Sequence, residues 1–265
     1  MKRPWWQFST RKLMGLVAIF AGLSFVARAI QVSQENSARV QCMYSLKMLM
    51  LGQHSFESSH GHFAMGYQPP LPQSQRGLSW FVEIVPFIES SKGMSFDPTK
   101  PWNDPVNLNG WPFQNHWSCF ICPSAPQTPT PGLPPLIDYI GIAGLGLDAP
   151  SLPANHPRAG FFSDVRSTKV ADITDGLSTT MAIAETQSNR GPWTAGGYAT
   201  VRPLDPTHQP YIGQGCQFGN SHSAGSMIVF ADGSIRTIGP NINKNVFEAM
   251  STIAGGEVVP ALSGK

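Results

Sequence analysis

The sequence predicts an α+β protein in which one long N-terminal helix packs on an antiparallel β-sheet, with long Pro- and Gly-rich loops joining the remaining pieces. Three observations carry this prediction. No Pro interrupts the chain from Leu13 to Ser59. Within that run Cys42, Leu46, Leu49, Gln53 and Phe56 recur at steps of three and four, which lines them up along one face of a helix, the arrangement of a helix lying on a sheet. Near the other end, Met227–Phe230 and Ser234–Ile238 are strand-like runs separated by Ala231-Asp232-Gly233, and Asp-Gly supplies residues that tolerate the positive φ of a hairpin turn.

The first 12 residues form a basic N-region. Lys2, Arg3, Arg11 and Lys12 precede an uncharged apolar run, Leu13 to Ala27, and no acidic residue occurs before Glu35. This asymmetry holds an N-terminus in the cytoplasm and sends the rest of the chain across a membrane. The run is somewhat shorter than the roughly 20 residues that span a bilayer core. Snorkelling by Lys12 and Arg28, or extension through Ala29 and Ile30, closes the gap and places a transmembrane anchor at 13–29. Ala27-Arg28-Ala29 also fits the small-x-small pattern of a cleavable secretory signal, and a buried soluble helix is a third reading. The anchor and the signal both export the body of the protein. Residues 30–60 read as an amphipathic spine continuing the anchor, on the order of 70 Å from Leu13 to Ser59 at 1.5 Å per residue. The alternative is two helices broken near Ser33 to Ser37, where helix formers are weak.

Residues 61–265 then form one exported β-rich domain, long enough to bury a core of its own. Charged residues are only 13% of the chain, against 26 Gly and 24 Pro, so turns and irregular connections should dominate. Leaving out the four basic residues of the N-region, 14 basic residues stand against 16 acidic ones, which gives no footprint for nucleic acid.

Four cysteines, Cys42, Cys119, Cys122 and Cys216, are disulfide candidates in an exported chain. Cys119-Phe120-Ile121-Cys122 is a CxxC, but no second CxxC accompanies it, so structural bridges or buried thiols are expected ahead of redox chemistry or zinc. A bridge from Cys42 to Cys119 or Cys122 would pin the spine to the body. No cofactor and no metal-ligand set is expected from these spacings.

Along the body, Gly61 is the natural C-cap of the spine. Gln68 to Gly77 is a Pro- and Gln-rich loop, and Ser79 to Ile88 is a buried strand or short helix that its period does not resolve. Phe96 to Trp117, broken by Pro98, Pro101, Pro105 and Pro112, is a packed irregular loop. Its Trp102, Trp111 and Trp117 either fill core or contact a ligand, as aromatics do in sugar sites. Pro123 to Pro135, with Pro at six of thirteen positions, is extended and exposed. Asp138 to Gly144 is a strand with a Gly-rich end, and its GIAGLG lacks the helix and acidic residue of a nucleotide loop. Phe161 to Val170 is expected as a further strand, followed by an Asp175-Gly176 turn and a strand from Thr180 to Glu185. His222 and Asp232 stand at opposite ends of the first hairpin strand, on the order of 30 Å apart when extended, too far to share a metal. Turn chemistry and a loop hydrogen bond are their expected roles.

Several stretches together resemble the DUF1559 family of pilin-like proteins, abundant in planctomycete bacteria and marked by an H-x9-DG motif. They include Gln41-Cys42, His60-Gly61, Ser79-Trp80, Lys100 to Pro105, Cys122-Pro123-Ser124, Ile173 to Gly176 with Glu185, and finally His222 with Asp232-Gly233. The resemblance covers roughly residues 38 to 260. It implies a pilin-like α+β body outside the inner membrane, and it brings no catalytic residues. Members of the family usually begin with Gly-Phe-Thr-Leu-x-Glu, cut after the Gly by a prepilin peptidase, and in pilins the Glu helps pair each subunit with a neighbour's exposed amino terminus. This chain has Gln7-Phe8-Ser9-Thr10-Arg11-Lys12 instead, and a cation beside a neighbour's amino terminus repels it. The expectation is therefore a standing anchor rather than a polymerised pilin.

The function expected is that of a non-enzymatic, membrane-anchored, pseudopilin-like envelope protein of type II secretion-like kind, its partners the membrane and other envelope or secretion-system proteins. An extracellular glycan- or peptide-binding module using the Trp-rich loop 96–117 is the alternative. A hydrolase or metal enzyme built on His222, Asp232, Asp175 or Glu185 has no nucleophile motif or HExxH spacing behind it.

Overall fold

The computed structural model describes residues 10–67, 77–88, 94–109, 120–125, 131–219, 222, 225–257 and 259. Helix α1 runs unbroken from Thr10 to His60, so the weak formers between Ser33 and Ser37 do not interrupt it. Gly61 ends it in the left-handed region at φ 77°, its N–H donating to the Glu57 carbonyl at 2.7 Å. The chain divides into two units after Val40.

In the first unit, the large apolar side chains of α1 from Leu13 through Ile30 are exposed, Phe20 by 68% and Phe25 by 75%. Eighteen residues rise about 27 Å, close to the thickness of a bilayer core. This segment makes α1 a candidate single membrane span.

The second unit is built on a five-stranded sheet: β1 (Tyr139–Leu145), β2 (Met181–Glu185), β3 (Val201–Leu204), β4 (Ser226–Phe230) and β5 (Ile235–Ile238), in the order β3-β1-β2-β4-β5. β1 pairs β3 in parallel; the other three pairings are antiparallel. Because side chains alternate across a sheet, Tyr139, Ala143, Met227 and Val229 face one layer and Ile140, Ile142, Ile228 and Phe230 the other. The first layer holds the C-terminal part of α1, whose Cys42, Leu46, Leu49, Met50 and Phe56 are buried along the stripe the spacing predicts. It also holds helix α2 (Trp80–Ile88), which settles the ambiguous apolar run as a helix. The second layer is closed by Tyr211, Phe218 and helix α4 (Lys244–Ala249), with Asn243 accepting from the N–H groups of Asn245 and Val246 as its N-cap.

Three expectations are corrected or refined here. Phe161 to Val170 is not a strand. Only its entrance touches the sheet, where Gly160 and Phe162 donate to the Ala143 and Ile142 carbonyls, and side-chain bonds of Arg166 and Thr168 tie the rest down as a loop. The short parallel strand β3 stands where no strand was expected, and Pro105–Asn109 forms a short helix, α3, inside the irregular loop. The β4–β5 hairpin is as expected: Gly233 takes φ 82° and Asp232 Oδ1 accepts from the Ser234 N–H at 2.8 Å.

Candidate metal centre

Where the buried face of α1 crosses the end of β2, four ligand-type side chains converge. Each is placed by a different element. Cys42 lies on the α1 stripe. Glu185 is the last residue of β2 and pairs in register with Tyr139, which puts it on the α1 side of the sheet. His222 lies in the connection entering β4. Cys122 follows Phe120, a buried ring stacked on Trp193 at 5.1 Å. The Phe120 carbonyl accepts from the Asp138 N–H, and the Asp138 carboxylate in return accepts from the Cys122 N–H at 2.8 Å. Asp138 is itself paired with Arg190 at 2.6 Å, so an ion pair behind the loop fixes where the Cys122 sulfur stands.

The Cys42 and Cys122 Sγ atoms are 3.1 Å apart, and His222 Nε2 is 3.4 Å from the first and 3.5 Å from the second. With a Glu185 carboxylate oxygen, the four ligand atoms all lie within 4.8 Å of one another. All four residues are at most 5% exposed. The second Glu185 oxygen, Oε2, accepts from the Met227 N–H at 2.7 Å, which orients the carboxylate from the neighbouring strand.

The two thiols are electrostatically unequal. The hydrogen bond donated by Cys42 pulls the Cys122 thiol down to about 5, against the cost of desolvation and with help from His222. Donating that bond, together with burial, pushes Cys42 up. Burial raises the Asp138 carboxyl to about 6, with the Cys122 N–H and Arg190 pulling the other way.

A match to the family described as protein of unknown function (DUF1559) covers residues 33–202. The chain belongs to the DUF1559 family. No curated protein and no solved structure matches it. The matched range holds three of the four converging side chains of this DUF1559 chain, Cys42, Cys122 and Glu185; His222 and Asp232-Gly233 lie beyond it.

Of bridges and buried thiols, the two outcomes expected for the cysteines, Cys42 and Cys122 take the second. Cys42 and Cys122 are neighbours in space, yet both are free thiols, at a separation well beyond the roughly 2.05 Å of a disulfide. Cys216 is also free and partly exposed, and Cys119 lies outside the described residues. The expectation of no metal ligands weighed His222 with Asp232, Asp175 and Glu185, and did not join it to the cysteines. In the structure His222 meets partners from three other elements, Cys42, Cys122 and Glu185. Spacing could not reveal them, because the sulfurs and the imidazole are 80, 100 and 180 residues apart. The signal that was present is that all four stand in stretches carrying the family resemblance.

Asp175, weighed as an enzymatic carboxylate, is held among backbone donors. It accepts from the N–H groups of Gly255 and Gly256 at 2.7 and 2.8 Å and ties down the C-terminal segment. Trp102 is half-buried, while Trp111 and Trp117 lie outside the described residues. A separate cleft of about 490 Å³ is lined by Tyr198, Asp205, His208, Cys216 and Gln217 among others. Beside it the buried Arg202 guanidinium donates to Thr186 Oγ1 and to the Gln217 and Ser188 carbonyls.

Proposed function

We propose that this DUF1559 protein is a non-enzymatic, pseudopilin-like envelope protein, held in the inner membrane by the first part of α1 with its sheet-bearing body outside the cytoplasm. The observation that carries this reading is the change of character along one unbroken helix. Its large apolar side chains from Leu13 to Ile30 are exposed, whereas the stripe of Cys42, Leu46, Leu49, Gln53 and Phe56 is buried in the body. The basic residues before Leu13 orient the span. Gln7 and Lys12, standing where a prepilin signal carries Gly and Glu, favour an uncleaved anchor over a polymerising subunit. A structural role fits the burial of the Cys42, Cys122, Glu185 and His222 cluster, none of whose members is more than 5% exposed. Envelope or secretion-system proteins are the partners this placement favours.

Protease treatment of spheroplasts tests the reading. The expected outcome is digestion of the body from outside, with a membrane-retained fragment containing α1. Full protection in intact spheroplasts and release with the cytosol on lysis would overturn it.

A further inference from the structure

We propose that Cys42, Cys122, Glu185 and His222 bind one zinc ion as a closed structural centre that clamps the spine helix to the sheet. The inference stands on the geometry of the body and does not depend on the membrane reading.

The donor set selects the metal. Two sulfurs and an imidazole suit zinc and exclude calcium and magnesium, which take oxygen ligands, and four protein ligands fill a tetrahedron. The distances fit as well. Bonds of about 2.3 Å to sulfur and about 2.05 Å to nitrogen give tetrahedral edges of about 3.6 Å between sulfur and nitrogen and about 3.8 Å between sulfurs. The two sulfur–nitrogen separations, 3.4 and 3.5 Å, fall just inside the first value. On loading, the sulfurs, at 3.1 Å, part by about 0.7 Å, and the Glu185 oxygen, within 4.8 Å of the other ligand atoms, closes to an edge of about 3.6 Å from sulfur.

A disulfide would employ two of these four groups, whereas a divalent cation rewards all four at once. The supporting shell is that of a metal site. Met227 N–H orients the Glu185 carboxylate, and the Asp138–Arg190 pair holds the Cys122 backbone through the Cys122 N–H. Loading moves no electrons. Protons still held by the thiols pass to the buffer, and His222 coordinates through its neutral Nε2. The ion then cross-links α1, the 120–125 loop, the end of β2 and the approach to β4, segments far apart in sequence whose joining stabilises the fold.

The test uses the full-length chain, purified in detergent through a tag without histidine and without chelator, and measures bound metal by mass spectrometry. One zinc per chain is expected, falling to less than a tenth in Cys122→Ser and His222→Ala. Should those variants fail to fold, the wild-type chain decides. Chelation should lower its thermal midpoint by at least about 5 °C, and cobalt loading should give the visible bands of a tetrahedral site with thiolate-to-cobalt charge transfer. The proposal is overturned by zinc content unchanged in the variants, by failure of the chelated chain to take up zinc or cobalt, or by a Cys42–Cys122 disulfide in protein taken directly from cells.

Discussion

At the scale of single residues, buried charge is placed with support in some positions and without it in others. Asp138 is nearly inaccessible and has Arg190 and a backbone N–H to hold it. Asp164 is different: its Oδ1 has no hydrogen-bond partner among the described residues, and burial raises its carboxyl to about 6. A carboxyl whose folded value exceeds its unfolded value of about 3.9 costs stability as pH rises between the two, and the cost is complete above the higher one. Asp164→Asn should therefore stabilise the chain by about 1–2 kcal/mol at pH 7.5, after discounting for partial exposure, with the gain gone by about pH 4. Denaturant titrations at the two pH values check this, and an equal gain at both would refute the assignment. No sequence signal marks Asp164, because its environment comes from packing. The same is partly true of the metal-type cluster: Cys42 beside Cys122 was one of two pairings expected, while their convergence with Glu185 and His222 comes from packing.

At the scale of elements, the interface of α1 with α2 turns on Gly52. A Cβ at this position would lie 2.7 Å from Ile88 Cγ1 and 3.3 Å from Ile84 Cβ, so glycine allows α2 to pack closely on the spine. Leucine is a far better helix former than glycine and would stabilise an exposed helix by nearly 1 kcal/mol. Here Gly52→Leu should instead destabilise by about 1–3 kcal/mol through overpacking, measurable by chemical denaturation. A stabilised variant would show that the two helices do not meet there. The elements legible in the sequence are those with a local cause: the α1 stripe from Cys42 to Phe56, and the β4–β5 hairpin from Asp232-Gly233. Strand β3 was not legible, since its four residues include Arg202 and Pro203 and its pairing with β1 is parallel and non-local. The loop after Phe161 misled for a related reason. It begins against β1 through the close approach of Gly160 to Gly144, then leaves the sheet, and nothing in its composition marks where.

At the scale of the whole molecule, α1 takes part in two different environments, and the change between them was the feature most legible in the sequence. An uncharged run after four basic residues needs no tertiary context to be read, whereas the chemistry of the body depends on contacts between distant segments. The proposed anchoring requires the first part of α1 to stay attached to the body in a membrane. The decisive measurement is the intact mass of the protein recovered from carbonate-washed membranes. The whole 28.7 kDa chain starting at Met1 is expected in that membrane fraction. A chain found full-length in the cytosolic fraction, or one starting at Ile30, would contradict the anchoring, and one starting at Phe8 would contradict the uncleaved N-terminus.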